Sequence, residues 1–311
     1  MSKIIITGAD GFLGSHCVDA ALERGLSVTA VCAYRPDGRV GYMETYRDRV
    51  EIVRADIGDL SYLKGREETP IINCAALVSV PYSYDMPNEY WRVNAEAVMK
   101  MAQLCPNLVQ VSTSEVFDGL NPPYSVDSPR NPITPYGAAK AAAEMAVLGY
   151  SKTAKVVRIF NLFGPRQFPR AVHPLFIRAA LALKRGEDVT LDGPHGSRAF
   201  LYAPWVAKEL VWVCEDLLHN PPGIPSSMRL LQLASMNAVE ISTLWHVICK
   251  EVAVDPDSVT WNAEAGKRGV ANLFGRSSRP FATKDYDFVG LVQTIEWYRA
   301  NPNYAADQPY Q

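Results

Sequence analysis

The sequence predicts an α/β fold in which a doubly wound parallel sheet is joined to a smaller C-terminal lobe. Three observations support this prediction. Short apolar runs rich in β-branched residues alternate with helical patterns through the first half of the 311-residue chain. The first run, Lys3–Thr7, ends in a glycine-containing turn that opens a helix. The second half is less regular, and we expect it to supply the smaller lobe.

The first half contains six predicted strands with helices between them. Strands that alternate with helices pair in parallel and are covered by helices on both faces. The predicted strands are Lys3–Thr7, Val28–Cys32, Val50–Ala55, Ile71–Ala75, Leu108–Ser112 and Val156–Phe160, and the predicted helices are Phe12–Arg24, Pro87–Leu104 and Gly137–Leu148. In the second half we predict helices at Pro174–Lys184, Pro204–Leu218, Ile241–Glu251 and one ending near Tyr298, with strands at Val189–Leu191 and Leu230–Leu233.

Composition and charge argue against several classes of partner. Apolar residues make up 48% of the chain and charged residues 21%, which is ordinary for a globular protein. The net charge is −2 and the cations are spread along the chain, so we expect no nucleic-acid partner. No apolar run reaches membrane-spanning length, so no membrane partner is expected. The six cysteines form no C-x-x-C pair, which favours reduced thiols over disulfides or a metal site. With no recognisable signal peptide, these features predict a cytoplasmic protein.

The turn after the first strand has the spacing G-x-x-G-x-x-G. It contains Gly8, Gly11 and Gly14, and Phe12 and Leu13 begin the next helix. Gly8 permits the tight turn, Gly11 leaves room for phosphate groups, and Gly14 lets the helix pack closely. The helix N-terminus would then face the negative charge of a pyrophosphate. A tight turn that merely needs small residues is the alternative, but the strand–turn–helix context favours a dinucleotide cofactor.

The end of the second predicted strand bears on the choice between NAD and NADP. The segment Val31-Cys32-Ala33-Tyr34-Arg35 lacks a carboxylate that would accept a hydrogen bond from the ribose 2′-hydroxyl. Arg35 could pair with a 2′-phosphate or remain a solvated cation. The segment therefore favours NADP and leaves NAD open.

A tyrosine and a lysine stand four residues apart at the start of the alanine-rich helix. Tyr136 and Lys140 would share one helix face, and the lysine ammonium would lower the pKa of the phenol. Such a pair also arises by chance on protein surfaces. However, Thr113 and Glu115 follow the fifth strand, at the sheet edge where open α/β folds bind ligands. The combination predicts hydride chemistry on an alcohol or ketone beside a nicotinamide.

These motifs, in this order, resemble those of the extended short-chain dehydrogenase/reductase family, which contains nucleotide-sugar epimerases, dehydratases, decarboxylases and ketoreductases. The resemblance covers most of residues 3–215. It implies a Rossmann-like dinucleotide-binding domain at residues 1–165, with returning segments at about 200–240, and a nucleotide-sugar substrate lobe formed mainly by residues 166–311. It also implies cofactor contacts from Asp56 and Ile57 after the third strand and from Ala75 and Ala76 after the fourth.

The resemblance further implies roles for the catalytic set. Thr113 would hydrogen-bond the reacting sugar oxygen, Tyr136 would exchange its proton, and Lys140 would hold the nicotinamide ribose and tune Tyr136. Glu115 discriminates between reactions, because a 4,6-dehydratase needs a carboxylate to take the C5 proton once C4 is oxidised. Many dehydratases carry Asp where this chain has Ser114, which leaves the general acid open: Glu115 could serve both steps, or water could help. Glu115 could also be a solvent-facing strand end.

The same resemblance implies contacts with the nucleotide-sugar diphosphate, for which guanidinium groups are well suited. Asn94 is expected to bridge backbone groups rather than to bind substrate. The candidate substrate-binding residues are Ser79, Ser114, Asn161, Arg198 and Arg276, with Arg279 as an alternative to Arg276.

The function that we predict is an NAD(P)-dependent nucleotide-sugar 4,6-dehydratase with a Thr-Ser-Glu motif and a recycled cofactor. An epimerase, a decarboxylase or a 4-ketoreductase on the same scaffold remains open. A non-catalytic, cofactor-binding regulatory subunit is a more remote alternative. Members of the family often pair through the two long helices, so a homodimer is implied by analogy.

Overall fold

The computed structural model describes residues 2–35, 38–193, 195–217, 226–262, 273–278 and 287–304. Thirteen strands are present in these residues, and seven of them form one sheet. The strands are β1 (Lys3–Thr7), β2 (Ser27–Cys32), β3 (Glu51–Arg54), β4 (Ile71–Asn73), β5 (Leu108–Thr113), β6 (Lys155–Ile159), β7 (Asn161–Phe163), β8 (Thr190–Asp192), β9 (Ser197–Arg198), β10 (Phe200–Tyr202), β11 (Leu230–Leu233), β12 (Val239–Glu240) and β13 (Thr260–Asn262).

The large sheet has the order β11-β6-β5-β4-β1-β2-β3, and all of its neighbouring strands are parallel. The winding of the chain reverses between β1 and β4, which lie side by side in the centre. Ile5 pairs with Ile71 and Thr7 with Asn73 across this junction. In open α/β sheets, ligands bind in the crevice beyond the carboxyl ends of the strands at such a reversal. The predicted doubly wound parallel sheet is therefore confirmed.

Ten α-helices lie in the described part of the chain. They are α1 (Phe12–Glu23), α2 (Val80–Asp85), α3 (Pro87–Trp91), α4 (Ala97–Leu104), α5 (Pro135–Tyr150), α6 (Val172–Lys184), α7 (Ala203–Leu217), α8 (Ser226–Arg229), α9 (Ile241–Val252) and α10 (Phe288–Ala300). A π-helical turn at Arg92–Glu96 joins α3 to α4, and short 3₁₀ turns lie at Gly41–Tyr46, Leu60–Leu63, Ser114–Val116 and Pro256–Ser258. None of the described helices combines the length and the apolar character needed to cross a membrane.

Helices cover both faces of the large sheet, because its strands are apolar on both sides. On one face, Val18 of α1 and Leu210 of α7 pack in a core with Ile4 and Ile6. On the other face, α4 and α5 contribute a second core, in which Met101 and Val147 are fully buried. Successive side chains of β1 point to opposite faces, and each face is sealed by a different pair of helices.

A third apolar core belongs to the C-terminal region. Helices α6, α9 and α10 enclose Phe176, Trp245, Ile248 and Leu291. Three two-stranded ribbons accompany them: β7 with β10 and β8 with β13 are parallel, and β9 with β12 is antiparallel. The domain boundary expected near residue 165 stays a prediction.

Predicted and observed elements differ mainly where elements are short. The predicted helix Pro87–Leu104 contains the π-helical turn, and α2 precedes it without a sequence signal of comparable strength. Strands β7, β9, β10, β12 and β13 have two or three residues each, too few to show a period-2 pattern. The helix predicted at Pro204–Leu218 is α7, although residue 218 lies outside the described residues.

Candidate active site

The glycine turn closes tightly against the end of β4. Gly8 has φ +62°, in the left-handed region that favours glycine, and a Cβ added there would lie 2.8 Å from the Ala75 nitrogen. A Cβ on Gly14 would lie 2.1 Å from the Gly8 carbonyl oxygen. Gly14 therefore permits close packing as expected, but against the turn itself. Gly11 donates its N–H to the Gly8 carbonyl oxygen over 2.9 Å.

The N-terminus of α1 fits an anionic ligand. Gly11 is its N-cap residue and provides no side-chain cap, and this fully described helix has no acidic residue in its first turn. The first N–H groups of a helix have no intrahelical acceptor and carry the positive end of the helix dipole. Phe12 and Leu13 continue the turn into the helix. This N-terminus, which the tight turn through Gly8 and Gly14 holds in place, suits the pyrophosphate of a dinucleotide.

The predicted adenosine contacts have other partners in the structure. Arg35 donates to the Asp10 carboxylate over 3.4 Å, so the cation expected to meet a 2′-phosphate is already paired. Arg92 donates to both oxygens of Asp56, over 2.8 and 3.0 Å. Ile57 is buried in the apolar core under α4 and α5. The roles of these residues in cofactor binding stay predictions.

The turn that follows β4 is held from two sides. Ala75 donates its N–H to the Thr7 hydroxyl over 3.3 Å, and Ala76 continues the turn toward Leu77. Asn94, in the π-helical turn, accepts from the Leu77 N–H over 3.0 Å and donates to the Leu77 carbonyl over 2.8 Å. The expected bridging role of Asn94 is thus confirmed, and the extra residue of the π-helical turn lies where this contact is made.

A row of buried polar side chains crosses the sheet below the crevice. Thr7, Asn73 and Gln110 are register partners on β1, β4 and β5, and all three are fully buried. The Thr7 hydroxyl donates to Asn73, whose amide donates to Gln110 over 2.7 Å. Gln110 donates in turn to the Val111 carbonyl over 2.7 Å, the same oxygen to which Lys140 donates over 2.6 Å. The row therefore links the glycine-turn strand to the carbonyl that holds Lys140.

The structure brings Thr113, Glu115 and Tyr136 together where β5 meets α5. The Thr113 hydroxyl accepts from the Glu115 N–H over 3.2 Å, and it lies near enough to the Tyr136 phenol to affect the pKa of that phenol. Thr134 caps α5 by accepting from the Gly137 N–H over 2.9 Å. Gly137 lets the two segments meet, since a Cβ there would lie 2.2 Å from the Glu115 carbonyl oxygen.

Burial shifts the pKa values of Tyr136 and Lys140 in opposite directions. It raises the pKa of Tyr136, an effect that the Thr113 hydroxyl opposes and the Glu115 charge reinforces. It lowers the pKa of Lys140 to about 8, against the attraction of Glu144. The ring of Tyr90 meets that of Tyr136 edge-on, with centroids 6.2 Å apart. The proposed tuning of Tyr136 by Lys140 stays a prediction.

Glu115 is the least satisfied acid of the site. Its Oε2 atom is buried and has no hydrogen-bond partner among the described residues. Burial raises the pKa of this carboxyl to about 7, although the Arg198 guanidinium opposes the shift. A carboxyl with such a pKa exchanges protons readily at neutral pH and is a candidate general acid or base. It is therefore not the solvent-facing strand end that the sequence also allowed.

A second buried carboxylate, Glu144, lies one helical turn beyond Lys140. It accepts from Ser112 over 2.6 Å, from Arg130 over 2.5 Å and from Arg158 over 2.9 Å. Burial opposes ionisation of Glu144, but the hydrogen bonds and charges of these donors hold its pKa below the usual value. Sequence analysis missed this cluster. The only feature of the sequence that indicated it is a glutamate four residues, or one helical turn, after Lys140.

The candidate substrate residues fall into two groups. Asn161 and Arg198 line a cavity of about 240 Å³ together with Gln167, His173 and Phe200. Asn161 donates to the Ala199 carbonyl over 3.3 Å, and Arg198 lies close enough to Glu115 to influence its charge. The structure therefore brings two of the predicted diphosphate residues to one cavity and places Arg198 near Glu115.

The remaining candidates are not among the residues that line this cavity in the described part of the chain. Ser79 is the N-cap residue of α2, and its carbonyl accepts from the Tyr90 hydroxyl over 2.6 Å. Ser114 is buried between Thr113 and Glu115. Arg276 is exposed, with its backbone N–H bonded to the Tyr124 carbonyl over 2.8 Å. Arg279 lies outside the described residues.

Comparison with known proteins assigns the chain to a family. Residues 4–223 match the sequence pattern of the NAD dependent epimerase/dehydratase family. The chain belongs to this family. The match confirms the resemblance drawn from the glycine turn, the Thr-Ser-Glu segment and the Tyr–Lys pair.

Relatives within the family differ in reaction. The chain is 26% identical over 327 residues to human dTDP-D-glucose 4,6-dehydratase, covering 96% of this chain and 90% of that protein. It is 30% identical over 337 residues to UDP-N-acetyl-alpha-D-glucosaminuronate decarboxylase of Bacillus cytotoxicus, covering 97% and 99%. The structure of UDP-N-acetylglucosamine 4-epimerase of Methanobrevibacter ruminantium, in complex with UDP-N-acetylmuramic acid, superposes with a TM-score of 0.81 at 26% identity, covering 96% and 99%.

Proposed function

We propose that the protein is an NDP-hexose 4,6-dehydratase that uses a recycled nicotinamide cofactor. The proposal rests on the environment of the Glu115 carboxyl. Glu115 is half-buried, the buried Oε2 atom of its carboxyl lacks a hydrogen-bond partner among the described residues, the pKa of this carboxyl is raised to about 7, and it lies near Thr113 and Tyr136. An epimerase has no use for such a group, whereas a dehydratase needs a base for the C5 proton.

Each residue of the site has a defined task in this reaction. Thr113 orients the C4 hydroxyl of the hexose. Tyr136 takes the hydroxyl proton as a phenolate, which the positive charge of Lys140 must stabilise against the effect of burial on its pKa. Bound NAD or NADP, held by the glycine turn and Lys140, would supply the hydride acceptor for C4 and the hydride donor for C6. Lys140 binds the nicotinamide ribose and holds positive charge near the phenolate.

The C4 ketone acidifies the C5 proton, which Glu115 removes, and the C6 hydroxyl leaves as water. Addition of hydride at C6 and of a proton at C5 completes a 4-keto-6-deoxy sugar. Glu115 transfers the C5 proton to the departing hydroxyl, which leaves as water, and then takes from solvent the proton that it gives to C5. Since Ser114 replaces the Asp of many dehydratases, Glu115 is the acid that we assign to both proton transfers.

Asn161 and Arg198 place the nucleotide diphosphate in this proposal. Both line the same cavity, and Arg198 also influences the charge of Glu115. A guanidinium fork matches phosphate oxygens, and binding there would direct the hexose toward Thr113 and Tyr136. A nucleotide-diphosphate sugar is therefore the substrate class that we propose.

A decarboxylase is the second candidate, supported by the 30% identity to the Bacillus cytotoxicus enzyme. Decarboxylation also proceeds from a 4-keto sugar, so Thr113, Tyr136 and Lys140 would keep their roles. The substrate would then carry a carboxylate at C5. We prefer the dehydratase because it gives Glu115 a defined task, the removal of the C5 proton.

A panel of dTDP-, UDP- and GDP-hexoses and of UDP-hexuronates tests the proposal. Reactions are run in D₂O and followed by mass spectrometry and NMR, with Tyr136→Phe as the inactive control. We expect loss of one water from at least one hexose and incorporation of deuterium at C5. Release of CO₂ from a hexuronate alone would favour the decarboxylase, and inversion at C4 alone would favour an epimerase.

We also propose a homodimer that pairs through α3–α4 and α5. Exposed apolar side chains on these helices support it: Trp91, Leu104, Met145 and Tyr150 are each between 46% and 65% exposed. Exposed apolar groups on neighbouring helices favour burial against a partner. Light scattering after size-exclusion chromatography should give twice the mass of the 34.4 kDa chain, and Met145→Lys should lower it.

A further inference from the structure

The glycine turn brings a carboxylate to the end of β2, although β2 itself ends without one. Ala9 donates its N–H to the Val31 carbonyl over 3.2 Å, which fixes the turn beside the strand. The next residue, Asp10, accepts from the Ala33 N–H at Oδ1 and from Arg35 at Oδ2, each over 3.4 Å. The carboxylate therefore lies where open α/β folds present an acid to the adenosine ribose.

The surroundings of Asp10 strengthen its electrostatic effect. The residue is only 4% exposed, and the 3₁₀ segment that starts at Gly41 approaches it from another side. A Cβ on Gly41, whose φ is +55°, would lie 3.0 Å from the Asp10 carbonyl oxygen. The hydrogen bonds from Ala33 and Arg35 are both long, and a carboxylate offers about four acceptor sites, so Asp10 retains capacity for a hydroxyl group.

The ion pair also determines what Arg35 can do. Its side chain is 25% exposed and its guanidinium lies 3.4 Å from Asp10. A 2′-phosphate would have to separate this pair and then remain close to a buried carboxylate. Like charges repel strongly where water is excluded. A 2′-hydroxyl, in contrast, can donate to Asp10 and leave Arg35 in place.

From this geometry we propose that Asp10 selects NAD over NADP, by accepting the ribose 2′-hydroxyl and by holding Arg35 away from a 2′-phosphate. The inference deepens the proposed function and rests on its nicotinamide cofactor. It reverses the preference for NADP that the end of β2 suggested, because the carboxylate comes from the glycine turn, which is distant from β2 in sequence and adjacent to it in space.

Calorimetric titration of the purified full chain with NAD⁺ and with NADP⁺ tests the proposal. The wild type should bind NAD⁺ at least about tenfold more tightly, since one charge-assisted hydrogen bond is replaced by repulsion. Asp10→Asn should reduce that ratio by about tenfold or more, because NAD⁺ loses its acceptor and Arg35 is released. Arg35→Ala should keep the NAD⁺ preference, and the double variant should lose the NADP⁺ affinity gained by Asp10→Asn.

Asp59→Asn is the matched control, because Asp59 caps the 3₁₀ turn at Leu60–Leu63 by accepting from the Ser61 N–H over 3.0 Å. It should leave the ratio unchanged. Tighter binding of NADP⁺ by the wild type overturns the proposal, as does an unchanged ratio in a folded Asp10→Asn protein. If Asp10→Asn does not fold, loss of NAD⁺ binding in Arg35→Ala overturns it. Inactivity toward every sugar with the NAD⁺ preference intact would remove the proposed function and leave this inference standing.

Discussion

Two glutamates, one before the start of α5 and one within it, differ in their hydrogen bonds and in the direction of their pKa shifts. Glu144 is fully buried and accepts hydrogen bonds from Ser112, Arg130 and Arg158, so its pKa is held below the usual value. Glu115 is half-buried, its buried Oε2 has no hydrogen-bond partner among the described residues, and its pKa is raised to about 7.

The difference shows that burial alone does not identify a functional acid. A buried carboxylate that is fully hydrogen-bonded to cations remains ionised and contributes to a rigid core. A carboxylate that is buried without hydrogen-bond partners is destabilising because of its desolvation cost. Such groups are concentrated at functional sites. We therefore assign a structural role to the region around Glu144 and a role in proton transfer to the region around Glu115.

The largest expected effect comes from Glu144→Gln. Removal of this charge leaves Arg158, whose side chain is 0% exposed, as a buried cation without its counter-ion. The free energy of unfolding should fall by about 3–5 kcal/mol, as is usual when one partner of a buried pair is lost. Urea denaturation measures it. Glu23→Gln, which breaks an exposed ion pair with Lys208, is the control and should change it by less than about 1 kcal/mol. Equal effects of the two variants would contradict the structural role of Glu144.

Glu115→Gln should produce the opposite pattern. The turnover number for water loss should fall by about 100- to 10,000-fold, because the C5 proton loses its acceptor. The melting temperature should not fall, since the variant removes a charge that lacks a hydrogen-bond partner. Product formation by mass spectrometry and thermal unfolding measure the two effects. Full activity of Glu115→Gln would remove the chemical assignment of this region.

Gly137→Ala tests how closely the two regions are coupled. The added Cβ would lie 2.2 Å from the Glu115 carbonyl oxygen, so the turn that carries Thr113 and Glu115 must shift. A displacement of about 1 Å at a catalytic group reduces the rate by about 100-fold. Gly149→Ala in the same helix is the control, because no described atom lies within 4 Å of its added Cβ. This control should keep its activity and gain up to about 0.5–1 kcal/mol of stability.

The smallest expected effect is on the pH profile. The ratio kcat/KM should rise as pH increases through about 7, where Glu115 ionises, and fall above about 8, where Lys140 loses its proton. The acid limb should be absent from the residual activity of Glu115→Gln. An acid limb that persists in this variant would show that another group supplies it.

The raised pKa of Glu115 also predicts how the free energy of unfolding changes with pH. The pKa of Glu115 lies above its usual value in the folded protein, so folding binds a proton between the two values and stability decreases as pH rises through this range. At pH 8, Glu115→Gln should therefore unfold at a higher temperature than the wild type. A lower unfolding temperature of this variant at pH 8 would show that the carboxylate has a stabilising partner.

Local patterns were sufficient for much of the fold and part of the site. The apolar runs predicted β1 with its observed bounds, and β2 to β6 with bounds that differ by at most two residues at either end. The helical spacing of Tyr136 and Lys140 correctly placed both at the start of α5. The two- and three-residue strands near Arg198 gave no such pattern, because their pairing depends on distant chain segments.

The sequence by itself determined which residues alternate, where the glycine turn falls and which residue types could transfer a proton or meet a phosphate. Each of these is encoded within a few neighbouring positions, where backbone sterics and side-chain periodicity act directly. Only the tertiary structure decided the partners: Asp10 for Arg35, Arg158 for Glu144, and no hydrogen-bond partner among the described residues for Glu115 Oε2. Charge and pKa depend on the groups that surround a side chain in space, and these groups belong to other elements of the fold, 25 residues away for Asp10 and Arg35 and 14 for Glu144 and Arg158.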